Sequence, residues 1–204
     1  MQLDSTIVAL ARCPGYQAGN LARAIDTVIS AVDPPENLTS CHVLLKPNLI
    51  SAKKGTLPCT EGAFLLAVAR WFLDRGAVVS VGDSPAFGTT TSVLARLEYT
   101  DQLQKLGVGL VNFSRVRTVI LPSGIQVGMA ADALDCDLLV NLPRVKAHAQ
   151  LRITLAVKNC FGCLAGLRKP WWHMMYGGKQ GRFADLLVEL LSILPDSLHL
   201  ADGI

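Results

Sequence analysis

Apolar residues in this chain fall into short runs, each closed by polar and turn residues, with longer amphipathic stretches between them. His42–Leu45 gives way at once to Lys46-Pro47-Asn48, and Val78–Val81 to Gly82-Asp83-Ser84-Pro85. Leu138–Asn141 is closed by Leu142-Pro143 and Leu198–Ala201 by Asp202-Gly203. Apolar runs of this length bounded by turn residues read as buried strands. Between them, Leu21, Ile25, Val28 and Ile29 recur at helical spacing over Asn20–Val32, ahead of the Asp33-Pro34-Pro35 breaker. Thr60 is placed to cap a helix Glu61–Arg75, with Gly76 as its stop. Thr91–Leu106 reads as one helix ended by Gly107, and Phe183–Leu194 as an amphipathic helix ended by Pro195. Thr6–Arg12 alternates enough for a first strand, and Gly109–Phe113 is β-rich. Val116–Leu121 and Ile125–Gly128 flank a Pro122-Ser123-Gly124 turn and predict a hairpin. Met129–Leu134 fits one or two helical turns, Leu151–Val157 is expected to be helical, and a loop rich in glycine and aromatics runs from Gly162 to Gly181.

Strands alternating with helices imply an α/β fold: a mostly parallel sheet with helices on both faces and an inserted β-hairpin near 116–128. No repeat, low-complexity tract or linker divides the chain, so residues 1–204 read as a single domain, cut short at its C-terminus just after Asp202. Half of the residues are hydrophobic and 17% charged, which excludes a disordered chain. No apolar stretch approaches the roughly 20 residues of a spanning helix. The longest, Phe64–Leu73, is interrupted by Arg70, and the opening MQLDSTIVALARC lacks the basic start of a secretory leader. A soluble, cytoplasmic protein without membrane contact is expected.

Net charge is +3, from 19 basic and 16 acidic residues, too mild to argue for nucleic acid. The placement of the cations says more. Arg144, Lys146 and Arg152, with His148 among them, follow directly on the Leu138–Asn141 strand, and Lys158 sits in the apolar stretch after them. In an open α/β sheet, ligands bind beyond the carboxyl ends of the strands. Parallel strands would deliver Lys46, Asn48, Asp83, Ser84, Asn141 and Asp202 to one rim, and the loop after Asn141 adds Arg144, Lys146 and His148. Polar residues after strands are also ordinary loop formers, but four such ends in one pattern favour a common site for an anionic ligand. Lys158 must either have its ammonium satisfied or extend it to solvent, since an unpaired buried charge is costly.

His148 reads as a general base, a metal ligand or a hydrogen-bonded loop histidine. His173, in KPWWHMMYGG, lies in a stretch that could fold over a site as a lid or pack on the surface through its tryptophans. His42 and His199, in or beside strands, read as structural. Of six cysteines, Cys13, Cys41, Cys59 and Cys136 are isolated and suit reduced thiols acting as small hydrophobes. Cys160 and Cys163 form a C-x-x-C with no second pair, short of the four ligands of a zinc or iron–sulfur site. No metal ligand set is assigned and no cofactor identified. Phosphate-loop, dinucleotide, G-x-S-x-G and H-E-x-x-H motifs are absent from the sequence.

The blocks LLKPNLI, VVSVGDSPAFGTT, DLLVNLPRVKAHAQLRITLAVKNCFGCLAG and LADGI, in that order, resemble the DUF362 domain family over nearly the whole chain. Members of that family are sometimes fused to ferredoxin-like iron–sulfur modules, although this chain has no matching cysteine cluster. The V-K-N-x-F-G block brings Asn159 into the candidate set. The order Asp137, His148, Lys158, a glycine loop and His173 is also similar to the N-terminal domain of nickel-pincer lactate racemases, in which histidines and a lysine of this segment hold a nickel–pyridinium cofactor. By that likeness Lys158 would anchor the cofactor, and His148 and His173 would be ligands or acid–base groups.

The leading expectation is an anion-binding, enzymatic and redox-linked site at the strand ends, oxidoreductase- or isomerase-like. His148, Lys158 and Asp83 would be its catalytic groups, and Lys46, Asn48, Ser84, Asn141, Lys146, Asn159, His173 and Asp202 its substrate-binding ones. Asp83 with Asp202 could orient His148 or hold a divalent ion. The alternatives are a non-catalytic accessory docking an iron–sulfur protein through the basic rim, or, least favoured, a nucleic-acid binder using Arg168, Lys169, Trp171 and Trp172.

Overall fold

The short apolar runs pair side by side. A computed structural model describes residues 7–32, 34, 37–51, 58–148, 152–165 and 182–203. Within them the chain forms α1 (Ala18–Ser30), β1 (His42–Pro47), α2 (Gly62–Leu73), β2 (Val78–Asp83), α3 (Thr90–Arg96), α4 (Thr100–Lys105), β3 (Gly109–Asn112), β4 (Val116–Ile120), β5 (Gln126–Ala130), α5 (Ala131–Leu134), β6 (Leu138–Leu142), β7 (Lys146–His148), β8 (Arg152–Thr154), α6 (Ala156–Cys160), α7 (Arg182–Leu191) and β9 (Ser197–His199). β1, β2, β3, β6 and β9 make one parallel sheet in the order β3-β2-β1-β6-β9. β4 and β5 form the expected antiparallel hairpin outside it.

Side chains alternate across the sheet, so each strand feeds two cores. Val43, Leu45, Val79, Val81, Leu138, Val140 and Leu142 face α1 to α4, packing on Leu21, Ile25, Phe64, Val68 and Phe72. Leu44 and Leu139 face the other way, onto the hairpin residues Val127 and Met129, Phe161, and Phe183, Leu186, Leu187 and Leu190 of α7. By the same alternation Lys46 and Asn141 continue the face of Leu44 and Leu139, under α6. The chain fills β2 and β3 on one side of β1, then returns to place β6 and β9 on the other. The strand order therefore reverses between β1 and β6, the point where such sheets leave a crevice at their carboxyl ends.

Several expectations are corrected. Residues 7–12 form no strand, and Leu10 is 93% exposed: the described sheet ends at β3 and β9, and this weak alternation pairs with neither edge. The helix expected over Thr91–Leu106 is two helices, broken where Glu98 takes a left-handed φ of 64°. Leu151–Val157 is not helical: Arg152–Thr154 pairs with Lys146–His148, as the β-branched Ile153 and Thr154 favour, and the helix begins only at Ala156. Thr60 does not cap α2. Glu61 is the N-cap, and its N–H donates instead to Oδ2 of Asp202 at 3.2 Å, so a carboxylate from the far end of the chain satisfies the helix terminus. Thr60 ties two strand-end loops together: its hydroxyl accepts from the Asn48 N–H and donates to the Leu142 carbonyl, both at 2.7 Å. Gly76, at φ 81°, ends the α2 region as the sequence suggests. No helix among the described residues is long and apolar enough to cross a membrane.

Candidate functional site

The four strand ends singled out in the sequence lie beside one another, since β2, β1, β6 and β9 are consecutive in the sheet. Lys46 stands directly opposite Asn141 in the β1–β6 register. The Lys46 side chain is fully buried and donates to Asp83 Oδ1 at 2.8 Å and to the Pro47 carbonyl at 3.1 Å. Burial alone would push the pKa of this ammonium down, but the Asp83 carboxylate outweighs it and the net direction is up, so Lys46 stays charged. Asp83 is equally engaged. Its Oδ1 also accepts the Ser84 N–H and its Oδ2 the Leu49 N–H, both at 2.8 Å. Thr90 holds the Asp83 backbone on both sides, its hydroxyl accepting from the N–H and donating to the carbonyl. The pair is therefore a rigid floor rather than a mobile contact.

Gly162 closes over this floor from the short 3-10 turn Phe161–Cys163. A Cβ there would lie 2.3 Å from Lys46 Nζ and 2.5 Å from Asp83 Oδ1. Glycine is thus required by close approach to an ion pair. Sequence reasoning placed this residue only inside a loop; its position after Phe161, in the same block as Lys158, was the available signal.

Next to the pair runs a chain of amides. Asn159 Nδ2 donates to Asn141 Oδ1 at 2.7 Å and to the Lys46 carbonyl at 3.3 Å. Asn141 Nδ2 faces the Ala156 carbonyl and His199 Nδ1, each at 3.0 Å, and Cys160 Sγ at 3.3 Å. Burial lowers the pKa of His199, and a neutral ring is what an amide donor needs at Nδ1. His42 meets Ser80 at 3.0 Å, and both histidines have the structural partners expected of them. Cys160 and Cys163 are both fully buried, and burial pushes Cys160 up to about 11, the wrong direction for a reactive thiolate.

Two further lysines approach the floor. Lys146, on β7, donates to the Pro58 carbonyl at 2.9 Å, and burial pushes its pKa down to about 8, Lys46 and Arg144 acting in the same direction. Lys158, on α6, stacks its ammonium over Phe161 with Nζ 4.7 Å from the ring centroid, and also faces Phe183 at 5.9 Å. Burial, then the charges of Lys46 and Lys146, push Lys158 down to about 8, with Asp83 opposing. Among the described residues Asp83 is the one carboxylate acting on Lys158, against two cations besides itself. The place carries excess positive charge in a partly desolvated setting.

Arg144 belongs to a neighbouring group with two carboxylates. It pairs with Asp202 Oδ2 at 3.2 Å and Glu61 at 3.8 Å, and Asp202 Oδ1 accepts the Tyr16 hydroxyl at 2.7 Å. Asp202 therefore lies with Arg144 and Tyr16, apart from the Lys46–Asp83 pair. Asn48 is used in its loop, its amide donating to the Pro58 carbonyl. His148 ends β7, but its side chain, like His173 and the Trp171–Trp172 stretch, lies outside the described residues. Among the described residues no group of three or more His, Cys, Asp or Glu side chains could hold a metal ion.

The fold has a solved counterpart. A lactate racemase apoprotein from Thermoanaerobacterium thermosaccharolyticum superposes with a TM-score of 0.53 at 14% identity, over 91% of this chain and 45% of that one. The likeness is one of fold. In sequence, a thylakoid-associated protein of Synechocystis sp. is 35% identical over 201 residues, 97% of this chain. The chain spans 63% of the length of that relative. A family model described as a domain of unknown function, DUF362, matches residues 43–204, and the chain belongs to that family.

Proposed function

We propose that the carboxyl edge of the sheet at the β1/β6 reversal binds a small anionic substrate, and that the protein is an enzyme acting on it in a redox-linked reaction. One observation supports this reading: Lys46 and Lys146 are near enough to act on Lys158, and among the described residues the one carboxylate acting on it, Asp83, is already engaged by Lys46. An anion would relieve that imbalance. In this reading Lys158 and Lys146 contact the anion as point charges, and the Lys46–Asp83 pair fixes the potential beneath them. Asn141 and Asn159 hold α6 in place over β1 and β6. His148, leaving β7 beside Lys146, moves the proton. Asn48 and Ser84 support the rim, Asp202 holds the start of α2 beside it, and His173 would add an acid–base group.

The nickel–pyridinium group implied by the resemblance would be anchored through the Lys158 amine, which stands half-buried against Phe161.

Calorimetry of the purified chain with lactate as the probe anion tests the proposal. Lys158→Ala and His148→Ala should each weaken binding roughly tenfold or more, as loss of a charge-assisted hydrogen bond does, with the melting temperature nearly unchanged. Unchanged binding in both variants sinks it. Absence of any small-anion binding, together with salt-sensitive retention on an acidic iron–sulfur protein, would support the accessory-module reading instead.

A further inference from the structure

Beside Lys158 the surface opens into a groove of about 280 Å³ walled by Ile153 and Leu155 of β8 and its exit, Val157 of α6, and Leu187 and Val188 of α7. Among the described residues Lys158 is its one polar lining residue, and the other lining side chains are aliphatic. These walls are exposed to a degree unusual for such residues: Ile153 is 54% and Val188 61% accessible. The apolar walls and the cation meet in one concave surface, the combination small-molecule sites use. The Lys158 ammonium faces the Phe161 and Phe183 rings, and among the described residues no carboxylate pairs with it.

Resting on the anion-site reading, we infer that this groove seats the aliphatic body of the ligand while its carboxylate meets Lys158, so that the substrate class is a short-chain aliphatic carboxylic acid. Charge complementarity selects the head group. The walls select the tail: an inorganic anion would leave them wet, and a volume at the low end for small-molecule sites limits the chain to a few methylenes. The inference also gives Lys158 its place at the groove rather than deep on the floor. A cation there reads the head of a ligand whose tail points away from Lys46.

The test is a titration of the full chain with acetate, butyrate and hexanoate at fixed ionic strength. Each added methylene that enters the groove should tighten binding about fourfold, so hexanoate should bind roughly two orders of magnitude tighter than acetate. Ala184→Trp, on the exposed side of α7, fills the groove and should bring hexanoate down to the level of acetate. Lys158→Met should weaken both acids alike; circular dichroism checks that each variant is folded. Equal affinity for the three acids would overturn the groove while leaving the anion site standing. Failure of all three to bind would remove both.

Discussion

Gly162→Ala tests the closed floor of the site. The added methyl would fall 2.3 Å from Lys46 Nζ, 2.6 Å from its Cε and 2.5 Å from Asp83 Oδ1. An exposed lysine tip would swing aside, but Lys46 is fully buried and held between Asp83 and the Pro47 carbonyl. Two responses remain. If the 3-10 turn lifts away, the cost is that of overpacking, about 1–3 kcal/mol. If the ammonium leaves its carboxylate, the cost approaches the roughly 3–5 kcal/mol of a broken buried pair. For a chain of 204 residues, each kcal/mol lowers the melting temperature by about 2–4 °C, so even the milder response gives a visible shift. Urea denaturation and thermal melting of Gly162→Ala, alone and combined with Lys46→Met, measure the effect. The two substitutions should couple by about 0.5–3 kcal/mol, because the shorter, uncharged side chain removes the nearest of the atoms the methyl strikes. A Gly162→Ala protein within about 0.5 kcal/mol of the parent, the range of an inconsequential surface change, would refute the packing argument.

Other outcomes follow from the same geometry. Lys46→Met should destabilise by about 3–5 kcal/mol because it strands a buried carboxylate, while Lys46→Met with Asp83→Leu should recover most of that loss; equilibrium unfolding of the three proteins decides it. Lys158 has a pKa of about 8 in the fold against an ordinary value of 10.5, so between those values the unfolded chain binds the extra proton. Stability relative to Lys158→Met should then be flat below about pH 8 and rise toward the ordinary lysine value, which a series of urea melts would detect.

How far the sequence could be read depended on the kind of interaction. β1, β2, β6 and the β4–β5 hairpin were legible because burial on both faces writes continuous apolar runs, and a tight turn writes its own residues. The shared rim was legible for the same reason: parallel strands of similar length end together. Local pattern failed where tertiary pairing decided the outcome. Residues 7–12 alternate like a strand but join no edge, and Ile153 and Thr154 sit in a stretch whose spacing also fits a helix. Within the site, residue type marked Lys46, Asp83 and Lys158 but not their division of labour. That Lys46 is sealed beneath Gly162, or that Asp202 serves Arg144, Tyr16 and the start of α2, depends on contacts between residues far apart in the chain, 58 to 186 positions in the case of Asp202.

The claim that this edge of the sheet holds uncompensated positive charge awaiting an anion is tested most directly by the pH dependence of lactate binding, followed by calorimetry from about pH 7 to about pH 10 in buffers of different ionisation enthalpy. With Lys146 and Lys158 both titrating at about 8, affinity should be steady at the acid end and fall at least tenfold per unit above that point, with protons taken up on binding near the midpoint. An affinity that does not change across this range, with no proton uptake, would contradict it.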